Sequence, residues 1–133
     1  MSDINLPSVV AELTHASDRY EAALVSNDVP VLQELFWDSP HVVRFGATEN
    51  LHGTAEIEAF RKARPAVGLA RTTLRRDIVT FGTDTGSVTV EFMRGGNGTG
   101  APEVHGRQSQ FWRRFPEGWR VVSAHVSMLP RSI

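Results

Sequence analysis

The stretch HVVRFG, residues 41–46, places an arginine inside an apolar run of strand length. A guanidinium costs several kcal/mol to bury without a partner. Arg44 therefore either points to water or points inward and meets an anion. Alternation leaves the direction open: Val42 and Arg44 share one face, Val43 and Phe45 the other. Turned inward, Arg44 suits a small carboxylate, which its planar fork holds through two parallel N–H···O bonds. The second chemistry-bearing residue is Tyr20, the one tyrosine of the chain. It falls on the apolar stripe of the first helix. A phenol there either fills the core with its hydroxyl at the rim or offers a hydrogen bond or proton to a bound molecule.

The elements that must position these residues follow from periodicity. Residues 7–27 predict a helix, with Pro7 in its first turn and an apolar stripe through Val9, Leu13, Ala16, Tyr20 and Ala23/Leu24. Asn27-Asp28 breaks it, Val29 to Phe36 forms a second, short helix, and Pro40 ends that region before the HVVRFG strand. GATENLHG predicts a turn or loop. A third helix opens at Gly53-Thr54, with Thr54 as N-cap, and stops at Pro65. After residue 70 the period becomes two, and 71–81, 87–94, 104–115 and 119–129 predict strands. Helices first and hairpin-linked strands afterwards indicate an α+β domain over residues 1–133, its helices on one face of an antiparallel sheet.

FPEG, residues 115–118, sets a register. A type I turn at Pro116-Glu117, with Gly118 left-handed in a bulge, pairs Phe115 with Trp119. Gln108, Gln110 and Trp112 then share the helix-covered face with Val122, Ala124, Val126 and Met128. Arg107, Ser109, Phe111 and Arg113 take the other face with Val121, Ser123, His125 and Ser127. A simple two-residue turn would shift this by one and put His125 beside Gln108. In the first register two glutamines project into an apolar interior, where they could bind a polar molecule; Trp37 either lines the mouth of that interior or fills the core.

Composition excludes several classes. The net charge is −1, from 14 basic and 15 acidic residues, so nothing draws the chain toward nucleic acid or anionic membranes. Arg75-Arg76 and Arg113-Arg114 read as solvated strand faces. No run approaches the ~20 apolar residues of a membrane span, and MSDINLPSVVAEL lacks the pattern of a signal peptide; the expectation is a soluble cytoplasmic protein. With no cysteine there is no disulfide framework or thiol nucleophile. The histidines at 15, 41, 52, 105 and 125 lack metal-ligand spacing, so neither metal nor cofactor is expected. Ser109 and His125 could be cross-strand neighbours, but no nucleophile elbow surrounds Ser109. Asp38, Glu49 and Glu91 form no obvious acid/base pair, and Glu91 should face away from the helices. GGNGTG lacks the Gly-Lys-Ser/Thr ending of a phosphate loop and reads as a flexible hairpin tip; Asn97-Gly98-Thr99 within it is formally a glycosylation site.

Taken together, RYEAAL, LFWDSPHVVRFG and GRQSQFWRRFPEGWRVVSAHVS resemble the nuclear transport factor 2-like (SnoaL-like) superfamily and, within it, the AtzH-like (HpxZ-like) branch. The resemblance spans about residues 3–129. It implies a cone-shaped cystatin-like fold with three N-terminal helices on a curved, mainly antiparallel sheet. It implies homodimers packed through the outer sheet face, a pocket in the mouth of the cone, and no metal or cofactor. It further implies a decarboxylating amidohydrolase acting on a carboxylated urea, 1,3-dicarboxyurea to allophanate, in nitrogen catabolism beside an amidase. A first-helix tyrosine and a first-strand arginine are the residues implicated, at Tyr20 and Arg44 here. Gln108, Gln110, Trp37 and Trp112 are the accompanying substrate-binding candidates. A non-catalytic carboxylate-binding or scaffold module serving an amidase is the alternative. A cone isomerase would need an inward carboxylate base, and the sequence offers none convincingly.

Overall fold

The apolar stripe of the first helix has one place to go, against the sheet formed by the second half of the chain. In the computed structural model, which describes residues 2–65, 68–96, 98 and 100–130, helix α1 (Pro7–Ser26) buries Val9, Leu13, Ala16, Tyr20, Ala23 and Leu24. Asn27 ends it in the left-handed conformation, its backbone N–H returning to the last turn. Helix α2 (Val29–Leu35) starts under the carboxylate of Asp28, which accepts from the N–H of Val31. Strands β1 (Val43–Phe45) and β2 (Asn50–His52) precede helix α3 (Gly53–Ala63). Four long strands follow: β3 (Thr72–Phe81), β4 (Thr85–Arg94), β5 (Val104–Phe115) and β6 (Gly118–Met128).

The strands form one sheet in the order β2-β1-β6-β5-β4-β3. All neighbours are antiparallel except β1 and β6, so the sheet is mixed. The α+β class and the element order match the sequence reading, with two differences around β1. The segment expected to be a turn or loop contains β2, a three-residue strand too short for a period of two to show. Gly46 N–H bonds the Glu49 carbonyl and closes a tight hairpin that brings β2 back onto β1. Thr54 is not the α3 cap: His52 holds that position, and the Thr54 hydroxyl instead accepts from Ser39 N–H at 2.8 Å. The tip residues Asn97 and Thr99 lie outside the described residues, and with them the glycosylation sequence.

The β5–β6 register differs from the expected one at the tip and agrees with it further in. Phe115 pairs with Gly118, not Trp119, across a two-residue Pro116-Glu117 turn; Gly118, at φ 128°, uses backbone freedom that only glycine has. A bulge then leaves Val122 without a partner, because Trp112 pairs with Val121 and Phe111 with Ser123. The extra residue cancels the one-step shift. Val121 therefore faces the core (0% exposed), where it was expected outside, while Gln108 and Gln110 lie opposite Val126 and Ala124, and Ser109 opposite His125, as the sequence predicts.

Two inward rows of this sheet matter below. Arg44, Ala124, Gln110 and Val88 are successive cross-strand partners in one; Val126, Gln108 and Val90 form the next. Above them α1 comes so close that a Cβ built on Gly86 would lie 2.5 Å from Leu13 Cδ2 and 3.0 Å from the Val79 carbonyl oxygen. Gly86→Ala should therefore overpack the α1–sheet contact and lower stability by about 1–3 kcal/mol. Denaturant unfolding measures this, and an unchanged midpoint would contradict the close approach.

Candidate functional site

Arg44 is turned inward. It is 6% exposed, while Val43 and Phe45 take the other face, where the Phe45 ring meets His125 and His52 edge-on at 5.8 Å each. The negative partner is Glu49, at the end of the β1–β2 hairpin, whose Oε1 accepts from Arg44 Nη1 at 3.0 Å. The other carboxylate oxygen accepts from the Thr48 hydroxyl at 2.6 Å and from Thr48 N–H, which fixes the group's orientation. Burial pushes the Glu49 carboxyl upward, but the Thr48 hydroxyl and the Arg44 guanidinium outweigh it and hold Glu49 below the usual carboxylate range. Among the described residues, Arg44 has no acceptor other than Glu49. The guanidinium carbon lies 5.3 Å from the centre of the Phe60 ring.

Tyr20 is 1% exposed and stands at the end of a hydrogen-bond string. Gln108 donates from Nε2 to the phenolic oxygen at 3.0 Å, and Gln108 Oε1 accepts from Arg71 Nη2 at 2.8 Å. Arg71 is in turn clamped by both oxygens of Glu21, through Nη2 at 2.6 Å and Nε at 3.1 Å. Both ends of the Gln108 amide are thus used within the protein. Its place is that of a link orienting the phenol, not the free reader of a bound molecule expected from the sequence. Since the phenolic oxygen already accepts a bond, its own hydrogen is available, and among the described residues no acceptor meets it.

Three further arginines crowd the same interior. Arg61 is 1% exposed, its guanidinium 4.3 Å from the Phe36 ring, against which Tyr20 also packs at 6.1 Å between ring centres. None of its three side-chain nitrogens has a hydrogen-bond partner. Arg64 shares the Phe60 ring with Arg44 and donates to Asn27 Oδ1 at 3.0 Å. Arg94 shares the Phe92 ring with Arg71, and its Nε is buried without an acceptor. Burial, first, and the charge of neighbouring arginines lower the pKa of all three, Arg61 to about 10. At that value Arg61 remains a cation at neutral pH. Tyr20 thus shares the Phe36 ring with Arg61 and the Gln108 amide with Arg71, while Arg44 and Arg64 share Phe60 and Arg94 shares Phe92 with Arg71. Glu49 and Glu21 are the carboxylates paired to this group of five guanidiniums. The group as a whole carries an excess of positive charge.

The remaining sequence candidates lie at or beyond the margin of this group. Gln110 is buried in Arg44's own row, one strand beyond Ala124; its Oε1 accepts from Trp112 Nε1 at 3.0 Å, leaving its Nε2 buried and unpaired. Trp112 is fully enclosed (0% exposed) and is a core residue, not a lining one. Trp37 stacks on Phe115 at 5.9 Å and tilts against His41. It borders a separate hollow of about 730 Å³ between α2, the start of α3 and the β5–β6 turn. Ser109 and His125 are cross-strand partners on the outer face, and Glu91 is exposed there too. Among the described residues no group of His, Cys, Asp or Glu is arranged to hold a metal ion, and no helix is long and apolar enough to cross a membrane.

The sequence reading missed Arg61, Arg64, Arg71, Arg94 and Glu49. Two of them carry a signal. Arg61 follows Ile57 by four residues on the buried side of α3, and Arg94 continues the inward phase of Val88, Val90 and Phe92. Because the Glu49 carboxyl is held below its ordinary value, its pairing stabilises the fold above the ordinary carboxylate range and is lost as pH falls through the lowered folded value. A Glu49→Gln variant should accordingly melt below the parent at neutral pH, and the gap should shrink at acid pH, below about 4. Melting temperatures across that range check this; a gap independent of pH would show that the charge of Glu49 contributes nothing.

Comparison with known proteins agrees with this architecture. No protein with a curated description matches the chain. A crystal structure from Pectobacterium atrosepticum, of a protein described as of unknown function from the DUF3225 family, is 49% identical over 96% of both chains, with a TM-score of 0.90. A cystatin-like fold protein from Burkholderia xenovorans is 38% identical over 99% of this chain and 100% of its own, with a TM-score of 0.87. A ketosteroid isomerase-like protein from Erwinia carotovora atroseptica shares the fold at 16% identity, covering 95% of this chain and all of its own (100%), with a TM-score of 0.78. The AtzH-like family model matches residues 2–132, and with the six-stranded sheet, the three helices and these relatives it assigns the chain to the AtzH-like family of the cystatin-like, nuclear transport factor 2-like fold.

Proposed function

We propose that this protein is a small decarboxylating amidohydrolase that acts on a carboxylated urea, of the 1,3-dicarboxyurea-to-allophanate type. The observation that carries the reading is the inward Arg44 in an interior with excess positive charge around the Tyr20 phenol, whose hydrogen is uncommitted. Membership of the AtzH-like family supports it.

In this reading a substrate carboxylate takes the donors of Arg44 that Glu49 leaves open. The charge is bound where water is scarce, so the guanidinium fork is worth more than it would be at the surface. Tyr20 gives its proton to the nitrogen of the terminal carbamate. The N–CO₂ bond breaks with its electron pair on that nitrogen, carbon dioxide leaves, and the urea nitrogen becomes an NH₂ group. Solvent returns a proton to the phenolate. While the phenolic oxygen carries charge, the N–H of Gln108 already points at it, and Arg71 and Glu21 hold Gln108 in place. Help of this kind from a general acid contributes about 10²–10⁴-fold.

An isomerase chemistry is less well supplied. Its base would have to be Glu49, which Thr48 and Arg44 hold below its usual pKa, or Glu21, both of whose oxygens are taken by Arg71. A carboxylate-binding module would use the same cations without turnover. The outer sheet face, where Phe111 is 44% exposed beside Ser109 and His125, is the surface through which a homodimer would pack.

Turnover of dicarboxyurea and of oxalurate-type compounds, followed by carbon dioxide release and product analysis, tests the proposal. Tyr20→Phe should stay folded and lose about 10²–10⁴-fold in kcat. Arg44→Ala should raise KM as well as lower kcat. Full turnover by both folded variants would refute the assignment. Binding without turnover by the parent protein would leave the non-catalytic module.

A further inference from the structure

We infer that Arg61 anchors a second carboxylate, so that the site selects small dicarboxylates over monocarboxylates. This rests on the reading of Arg44 as the first anchor.

Arg61 is the least satisfied cation of the group. Arg44 and Arg71 have Glu49 and Glu21, and Arg64 has Asn27. Arg61 has no acceptor on Nε, Nη1 or Nη2, and its side chain is enclosed at 1% exposure. The Phe36 ring beneath it returns about 0.5–2 kcal/mol, less than the several kcal/mol that a desolvated, unpaired ion costs.

The helix does not need that guanidinium to stay in place. Ile57 buries the same side of α3, and Asn27 Nδ2 ties down the helix end by donating to the backbone carbonyls of Arg61, at 3.0 Å, and Arg64. A side chain that costs stability, makes no hydrogen bond and presents five N–H donors close to the Phe36 ring that Tyr20 also touches is one whose acceptor arrives from outside. The charge and the fork geometry specify an oxyanion, and a planar carboxylate matches the fork best. Arg44 and Arg61 reach the interior from different elements, β1 and α3, and Phe36 brings Arg61 up to Tyr20. The charge of Arg44 is felt at Arg61, so the two guanidiniums are near enough that a short linker with a carboxylate at each end is the ligand form that would meet both. A urea carboxylated on both nitrogens has that form.

The test measures binding, apart from turnover. Malonate, acetate and inorganic phosphate are titrated at matched ionic strength by calorimetry and thermal shift against the parent, Arg61→Met, Arg61→Lys and Arg44→Ala. The parent should bind malonate at least about tenfold tighter than acetate. In Arg61→Met, which keeps the volume and removes the charge, that ratio should fall to about one while the ligand-free melting temperature holds or rises, since replacing an uncompensated buried ion by an apolar group does not cost the fold. Arg61→Lys should keep part of the preference. A ratio unchanged in Arg61→Met, or phosphate binding as tightly as malonate in the parent, would overturn the inference. So would failure of Arg61→Met to fold, because a needed guanidinium is a structural one; an unchanged ratio in Arg61→Lys would then add that chemistry at this position does not matter. Loss of both ligands in Arg44→Ala with the ratio intact in Arg61→Met leaves the first anchor standing and removes the second. Unaltered binding by Arg44→Ala removes the first.

Discussion

The cost of holding guanidinium charge away from water governs this structure. Arg61 and the side chain of Arg71 are both 1% exposed, Arg44 is 6% exposed, and Arg64 and Arg94 stand beside them. Two carboxylates and three phenylalanine rings offset part of that cost. Phe36, Phe60 and Phe92 each present a face to at least one guanidinium, so apolar core residues also serve as partners for cations. The rest has to be carried by the apolar contacts around Leu13, Leu32, Trp112 and Val121, all at 0% exposure. A fold selected only for stability would replace Arg61 with a methionine or leucine. A cation kept there without an internal partner is what the proposed second anchor requires.

The placement of the charges follows from the sheet. β1 is three residues long and lies between β2 and β6, so Arg44 has little freedom to swing outward. The bulge at Val122 is as important as the strand itself. Without it the two-residue turn at Pro116-Glu117 would carry the remainder of β6 one step out of register with Gln108 and Gln110. Instead Ala124 lies between Arg44 and Gln110 in one inward row. At the other end Asn27 does two things: it terminates α1 in the left-handed conformation and bonds the last turn of α3, which sets Arg61 and Arg64 relative to Tyr20.

Helix α1, the long strands and the order of elements were legible in the sequence because each repeats its period often enough to show. Strand β2 was not, since three residues carry no period, and neither was the bulge, which depends on how β6 packs and leaves no mark in residue type. Of the site, Tyr20, Gln108 and Gln110 were placed by their stripes and register. Arg44 was an even choice between faces, decided by a residue five positions on: Glu49, in a loop where no pattern points anywhere. Arg61 and Arg94 were legible in principle by the phase of Ile57 and of Phe92. A charged residue on an apolar stripe reads as a stripe that has ended, unless the reader asks what could be buried with it. Arg71 lies just before β3 and is known as part of the site only through Glu21 and Gln108.

The contrast between Arg44 and Arg61 gives the proposed dianion preference a physical basis. Glu49 is a tethered carboxylate that already occupies one arm of Arg44, and Thr48 holds it in that orientation. A monoanion arriving at Arg44 shares that guanidinium with a neighbour of like charge and gains correspondingly little. Arg61 has no such internal competitor among the described residues, and its charge has been desolvated in advance by the fold. An anion that reaches it receives the full interaction of a preorganised, water-poor site, with the desolvation cost already met when the chain folded. A ligand with charge at both ends thus satisfies one contested cation and one uncontested cation, and the second supplies the discrimination. Arg61 packs on the Phe36 ring that Tyr20 also touches, so in the proposed site the contact that supplies the discrimination also brings the ligand toward the phenol.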